Sequence, residues 1–379
     1  MRILLNGLTV KRGGQKTIFI NIIPQFEQVG YQHEFVLLHS AGQDAFDFDL
    51  PVNFTRLING PNDHSVSSRI WWEQTKMPLI LLREKIDVMF TPTATGKLLF
   101  SRLPTVITVG NPKPFSNLNL RNLQYWTRNW MLREFTRYAA YRAAGVIFVS
   151  NYSRDKALSF LKIDPNKAFV IYHGVGDQFL NRAQTDSSQH YKGERPYLLT
   201  ISTIQSHKNY LRLLNAFARL IFDNDMEYDL VFAGAIGSQS DFMCIQERMN
   251  QPDLRNRVHY LGEVPYQDLP SLYQGASLFV LPSLLETFGI PLVEAMASKV
   301  PIAASEATAI PEIAGDAAVY FNPYDENEIY AVLQKLINNK ELREQLILKG
   351  SERVKKFSWE NSAREMVKVF EVASREDSR

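Results

Sequence analysis

Short apolar, β-prone runs and longer amphipathic stretches alternate along the whole of this 379-residue chain. In the first half the runs fall at Ile3 to Leu5, Phe35 to Leu38, Val88 to Phe90, Val106 to Val109, Val146 to Val149 and Phe169 to Ile171. In the second half they fall at Leu198 to Ile201, Leu230 to Phe232, Val258 to Leu261, Leu278 to Leu281 and Val319 to Phe321. Runs without a polar face suit strands covered on both sides, and the stretches between them are long enough for crossover helices. The pattern predicts an α/β fold of two doubly wound parallel sheets. Between the two series, Asn181 to Arg195 is polar and reads as a linker or surface loop. Helices are expected from Thr17, around Ser68 to Gln74, after Ser153 as a cap, from Glu326 to Lys356 and from Trp359 to Ser374.

Composition narrows the class. At roughly 100 to 200 residues per domain the length predicts two domains, and 45% hydrophobic with 22% charged residues is ordinary for a soluble globular protein. No apolar run approaches the ~20 residues needed to cross a bilayer, and MRILLNGLTVKRGG is too short and glycine-broken for a secretory leader, so a cytoplasmic location is expected. The single cysteine, Cys244, excludes an internal disulfide and a zinc cluster and reads as a small buried residue. The net charge of +2 hides an asymmetry: Met1 to Gly176 holds 21 Lys and Arg against 12 acids. Such a half suits an anionic partner, or is only a solvated basic surface.

The densest chemistry lies in FVLPSLLETFGIPLVEAMASKVP, Phe279 to Pro301. A strand ends at Pro282, and Ile290, Leu292, Val293 and Met296 then fall at helical spacing. Gly289 allows close approach of a ligand to the backbone, Pro291 suits a helix start, and the amides of Phe288, Gly289 and Ile290 can receive a phosphate. Glu286 is placed on the loop and Glu294 in the first helical turn, both facing the crevice at the strand's carboxyl end. One could hold sugar hydroxyls, the other a ribose diol. Alone, each glutamate is as well explained by helix capping or solvation.

Together, the string Glu-Thr-Phe-Gly-Ile-Pro-Leu-Val-Glu-Ala-Met-Ala resembles the Glu-x7-Glu signature of the retaining glycosyltransferases of family 4. The resemblance implies the GT-B fold, two Rossmann-like domains facing a central cleft. It implies residues 1–176 as an acceptor-side domain, with 357–379 packing back on it, and 177–356 as the nucleotide-sugar-binding domain. After the second half's first strand, Ser202-Thr203-Ile204-Gln205-Ser206-His207-Lys208-Asn209 resembles the family's basic loop. There Lys208 would stabilise the departing diphosphate with Thr203 and His207 beside it. Two departures stand out: Ser202 replaces a common glycine and Thr203 a common arginine. Gly13 and Gly14, after the first strand, resemble the loop that closes over the donor, and Val264 stands where the family contacts the nucleobase. Asn111 replaces a histidine that often touches the donor sugar; it can bond a hydroxyl but cannot carry a proton at neutral pH. His173, at a position the family gives to asparagine, reads as structural.

The implied activity is transfer of a hexose from a nucleotide-diphosphate sugar, of GDP-mannose or UDP-glucose type, to a glycan or lipid-linked acceptor. No cofactor is expected, and no metal, because no histidine cluster of ligand spacing is present. Lys208, Glu286 and Asn111 are the catalytic candidates. Arginines interleaved with aromatics from Arg121 to Arg142 suit an anionic membrane surface, and with it a peripheral location on the cytoplasmic face, but equally a core helix with its arginines turned outward; they would also suit nucleic acid, for which no motif accompanies them. A nucleotide-sugar epimerase of the same fold, or a non-catalytic membrane-bound scaffold, are the competing readings. The epimerase would need acid–base residues that Asn111 does not supply, and the scaffold has no use for Lys208 or Glu286.

Overall fold

The computed structural model describes residues 1–10, 14–61, 65–94, 103–110, 123–181, 190, 191, 193–224 and 227–376. They divide into two units, Met1–Gly174 with Trp359–Arg379, and Val175–Ser358. The division therefore falls two residues earlier than Gly176 and two later than Lys356.

The first unit is a parallel sheet of seven strands: β1 Arg2–Asn6, β2 Glu34–His39, β3 Phe54–Ile58, β4 Val88–Thr91, β5 Thr105–Thr108, β6 Gly145–Phe148 and β7 Ala168–Val170, in spatial order β3-β2-β1-β4-β5-β6-β7. The register pairs Ile3 with Phe35 on one side and with Val88 on the other. β3 has no counterpart among the apolar runs. It is an edge strand, FTRLI, whose Thr55, Arg56 and Ile58 are exposed, so burial never demanded an apolar sequence there. The chain returns to this unit with the helix Trp359–Glu376. That helix buries Trp359, Ala363, Met366, Val367, Phe370 and Ala373 in the core that holds Phe26 and Phe35. Each large side chain buried there contributes roughly 1.5 to 3 kcal/mol before entropy is counted.

The helix Val66–Thr75 is capped by Ser65, which accepts from the Ser68 amide at 3.2 Å. It buries Trp72 and leaves Trp71 62% exposed, as adjacent residues on a helix require. Ser150, not Ser153, caps the helix Asn151–Leu161; Ser153 occupies the third position and completes a capping box. His173 lies against the Trp359 ring, and desolvation lowers its pKa to about 4, in keeping with a neutral structural residue.

The second unit has six parallel strands, β8 Tyr197–Ile201, β9 Asp229–Ala233, β10 Val258–Tyr260, β11 Leu278–Leu281, β12 Ile302–Ser305 and β13 Ala318–Phe321. Their order, β10-β9-β8-β11-β12-β13, reverses direction between β8 and β11. β12, sequence IAAS, has no counterpart among the apolar runs because alanine and serine carry little β preference; full burial makes it a strand. The end of this unit holds two helices, Glu326–Asn338 and Lys340–Arg353, where the pattern predicted one run. Asn339 separates them, with its side chain accepting from the Leu342 amide at 2.9 Å. Cys244 is exposed: on the helix Gln239–Met249 it is Ile245 that turns inward.

Candidate active site

In an open parallel sheet, loops leaving the two strands at the reversal of order splay apart and leave a crevice at the carboxyl ends. In the second unit those loops follow β8 and β11, and they carry Thr203, His207 and Lys208 on one side and Glu286, Phe288 and Gly289 on the other. The Leu284 amide donates to the His207 carbonyl at 2.8 Å, which ties the loops together. Lys208 ends a short 3-10 turn, Ser206–Lys208, and Asn209 follows in left-handed conformation with φ 61°. Asn209 is buried, and its amide nitrogen donates to the carbonyls of Pro282 at 3.1 Å and Pro323 at 2.7 Å. This bracket fixes where Lys208 points.

Lys208 Nζ donates to Glu286 Oε1 at 2.6 Å, with the two side chains 14% and 13% exposed. The Glu286 amide donates to Thr308 Oγ1 at 3.0 Å. Thr308 itself has φ 59°, a conformation that costs a β-branched residue energy and that the surrounding contacts must hold. Gly289, with φ 87°, turns the chain into the helix Ile290–Ala297. A Cβ there would lie 3.1 Å from Leu292 Cδ1 and in a backbone region that glycine alone enters cheaply. At that helix start Pro291 brings no amide and the Leu292 amide donates to the Gly289 carbonyl at 2.9 Å, and the start follows Glu286 closely along the same loop. Phe288 is buried with its ring edge-on to Phe357, so only its backbone is placed to meet a ligand.

Glu294 differs from expectation. The helix starts at Ile290, which puts Glu294 in its second turn, and packing against neighbouring elements leaves it only 3% exposed. Tyr273 Oη donates to Glu294 Oε2 at 2.9 Å. Burial pushes the Glu294 carboxyl up to about 7, opposed by that hydrogen bond. The side chain is packed inside the unit against Tyr273 rather than held out as an open arm.

Val264 is half-buried on the loop after β10. That loop abuts the one after β9, because the Gly234 amide donates to the Gly262 carbonyl at 2.7 Å and Tyr260 Oη donates to the Gly234 carbonyl at 2.8 Å. Gly234 has φ 143°, and a Cβ on it would come within 2.2 Å of the Ser202 carbonyl, so the loops after β8 and β9 pack this closely only over glycine. Gly14 opens the helix Gly14–Ile22 of the first unit. Gly13 and Asn111 lie outside the described residues. Sequence reasoning passed over Thr308, Tyr273 and Asn209 as site residues. Asn209 had a legible signal, asparagine after a turn being the usual non-glycine choice for left-handed backbone; Thr308 and Tyr273 had none.

Chemically, the arrangement pairs one cation and a helix start, which suit a diphosphate, with one carboxylate, which suits hydroxyls. Among the described residues no group of acidic, histidine or cysteine side chains has the clustering of a metal site.

A two-sheet protein with such a site is what the glycosyltransferases of the GT-B class are built from. Residues 181–353 match the family described as glycosyl transferases group 1, and residues 12–179 the one described as glycosyltransferase family 4. The chain belongs to the family 4 type glycosyltransferases. It is 28% identical over 231 residues to the O-antigen chain mannosyltransferase B of Escherichia coli, a match covering 60% of this chain and 60% of that protein. The chain thus spans about 60% of the length of that curated relative. Among solved structures it is similar to sucrose-phosphate synthase from Thermosynechococcus elongatus, with TM-score 0.80 and 17% identity over 98% of both chains. It is also similar to Anabaena HepE in complex with UDP-glucose, with TM-score 0.77 and 17% identity over 97% of this chain and 98% of that one. At such identities the likeness is one of fold.

Proposed function

We propose that this chain is a retaining, metal-independent hexosyltransferase of polysaccharide or glycolipid synthesis. It would move a hexose from a nucleotide-diphosphate sugar to a glycan or lipid-linked acceptor. The observation that carries the reading is the meeting of Lys208 and Glu286 at 2.6 Å beside the start of the Ile290–Ala297 helix. In this reading the diphosphate rests on Lys208 and on the amides of Phe288, Gly289 and Ile290, flanked by Thr203 and His207. Glu286 holds sugar hydroxyls, Glu294 holds the ribose diol, and the loop with Val264 holds the base. No side chain serves as nucleophile. The acceptor hydroxyl attacks the anomeric carbon on the face the diphosphate leaves, and a diphosphate oxygen takes its proton, so catalysis comes from positioning and from charge fixed before reaction. The mannosyl activity named for the Escherichia coli relative supports a GDP-mannose type of donor, and the UDP-glucose held by HepE supports a UDP-sugar.

The acceptor side of the reading includes an anionic membrane face. No helix among the described residues is long and apolar enough to cross a bilayer. The helix Leu123–Arg142 buries Thr136, Ala139 and Ala140, and exposes Trp130, Met131, Tyr138 and Tyr141 together with Arg137 and Arg142. Aromatic rings and guanidiniums on one outward face suit lipid headgroups.

A thermal-shift panel of UDP- and GDP-sugars tests the donor site, since a ligand at about 100 times its dissociation constant stabilises by about 2.7 kcal/mol. One base series should raise Tm and lose that effect in Lys208→Ala. A panel with no shift at all would remove the reading.

A further inference from the structure

Lys208 and Glu286 are each other's partner at 2.6 Å, and neither side chain is more than about one-seventh exposed. Surface ion pairs contribute little, but a pair this sheltered is costly to break by removing one member, because the other charge is left without compensation. The pair is also held in place from behind. The Glu286 amide is fixed to Thr308 Oγ1 and the Leu284 amide to the His207 carbonyl, while Asn209 anchors the residue after Lys208. These contacts fix the backbone from which both side chains extend, so the two charged ends are held within reach of each other while their side chains remain free to rotate.

A ligand that takes Lys208 therefore displaces a carboxylate. A nucleotide sugar replaces both partners at once: its phosphates accept from Lys208, and its sugar hydroxyls donate to Glu286. A free nucleoside diphosphate replaces only one. It takes Lys208 and leaves Glu286 without its cation, facing the added negative charge of a terminal phosphate.

We propose that Glu286 competes with the diphosphate for Lys208, and so makes the site prefer the nucleotide sugar over the nucleotide product and helps expel that product. The inference rests on the donor-site reading above. It adds a role for Glu286 after the sugar has gone: the carboxylate reclaims Lys208 as the nucleotide leaves. No bond is made or broken in this step beyond exchange of hydrogen-bond partners.

The test is calorimetric titration of the full chain with UDP and GDP alone, in the wild type, Glu286→Gln, Lys208→Met and the double variant. Glu286→Gln should bind the preferred nucleoside diphosphate roughly tenfold more tightly, the order expected when one sheltered competing charge is neutralised. The gain should vanish when Lys208 is already methionine. If Lys208→Met weakens nucleotide binding while Glu286→Gln leaves it unchanged or weaker, the competition is refuted and the donor site stands. If Lys208→Met has no effect, or neither nucleotide binds the wild type, the donor-site reading falls and this inference with it. Glu286→Ala serves the same comparison should Glu286→Gln not fold.

Discussion

Replacing Glu294 by glutamine should stabilise the protein in alkaline buffer and leave its stability in acid nearly unchanged. The carboxyl sits on a helix whose Leu292, Val293, Ala295, Met296 and Ala297 are all buried, and it has Tyr273 Oη at 2.9 Å. Burial raises its pKa from 4.5 to about 7, and the tyrosine's hydrogen bond only partly offsets this. Below pH 4.5 the group is protonated both folded and unfolded, and ionisation costs nothing. As pH rises from there toward 7 the unfolded chain loses the proton while the folded one keeps it, so stability falls. Above 7 both forms are ionised and the full cost is present, about 3 kcal/mol at 1.36 kcal/mol per pH unit of difference. Glutamine cannot ionise, yet its carbonyl can still accept from Tyr273. With roughly 2 to 4 °C per kcal/mol for a unit of this size, Glu294→Gln should raise the melting transition of the second unit by roughly 6 to 12 °C at pH 8.5. At pH 4.5 the shift should be close to zero. Differential scanning calorimetry across that range measures it, and an equal offset at both ends would refute the buried titration. In the proposed function the same variant raises the donor KM with kcat less affected, because ribose hydroxyls do not change during transfer. Together the two results would mark Glu294 as a position where stability is given up for binding.

Lys208→Ala should lower turnover by roughly ten- to a hundredfold with the far-ultraviolet circular dichroism unchanged, since a charge-assisted contact contributes about 1.5 to 3 kcal/mol; near-normal turnover at saturating donor contradicts it. Gly289→Ala forces a side chain into backbone at φ 87° and should cost about 1 to 2 kcal/mol in urea unfolding while weakening nucleotide binding; an unchanged midpoint and unchanged affinity would show that the turn relaxes without consequence. Flotation with anionic vesicles should recover the protein, less so with added salt and less so for Arg137→Glu with Arg142→Glu, because exposed charge contacts are screened within about 8 to 10 Å. Equal recovery with neutral vesicles would remove the membrane face from the reading.

What the sequence determined by itself was the periodic part of this protein. Strands buried on both faces must be apolar throughout, so β1, β8 and β11 were legible as runs, and alternation with helices implied parallel sheets. The motif around Glu286 and Gly289 was legible for the same kind of reason, since a sharp turn into a helix confines glycine and proline to fixed places. Edge strand β3 and alanine-rich β12 escaped because their place in a sheet comes from neighbours far along the chain. The Lys208–Glu286 pair joins residues 78 apart, and its 2.6 Å separation depends on β8 lying next to β11, which no local pattern encodes. Burial of Glu294 was likewise a tertiary decision. The side-chain type announced an exposed acid, and only the packing of Tyr273 and the surrounding apolar residues turned it into a group that holds its proton until about pH 7.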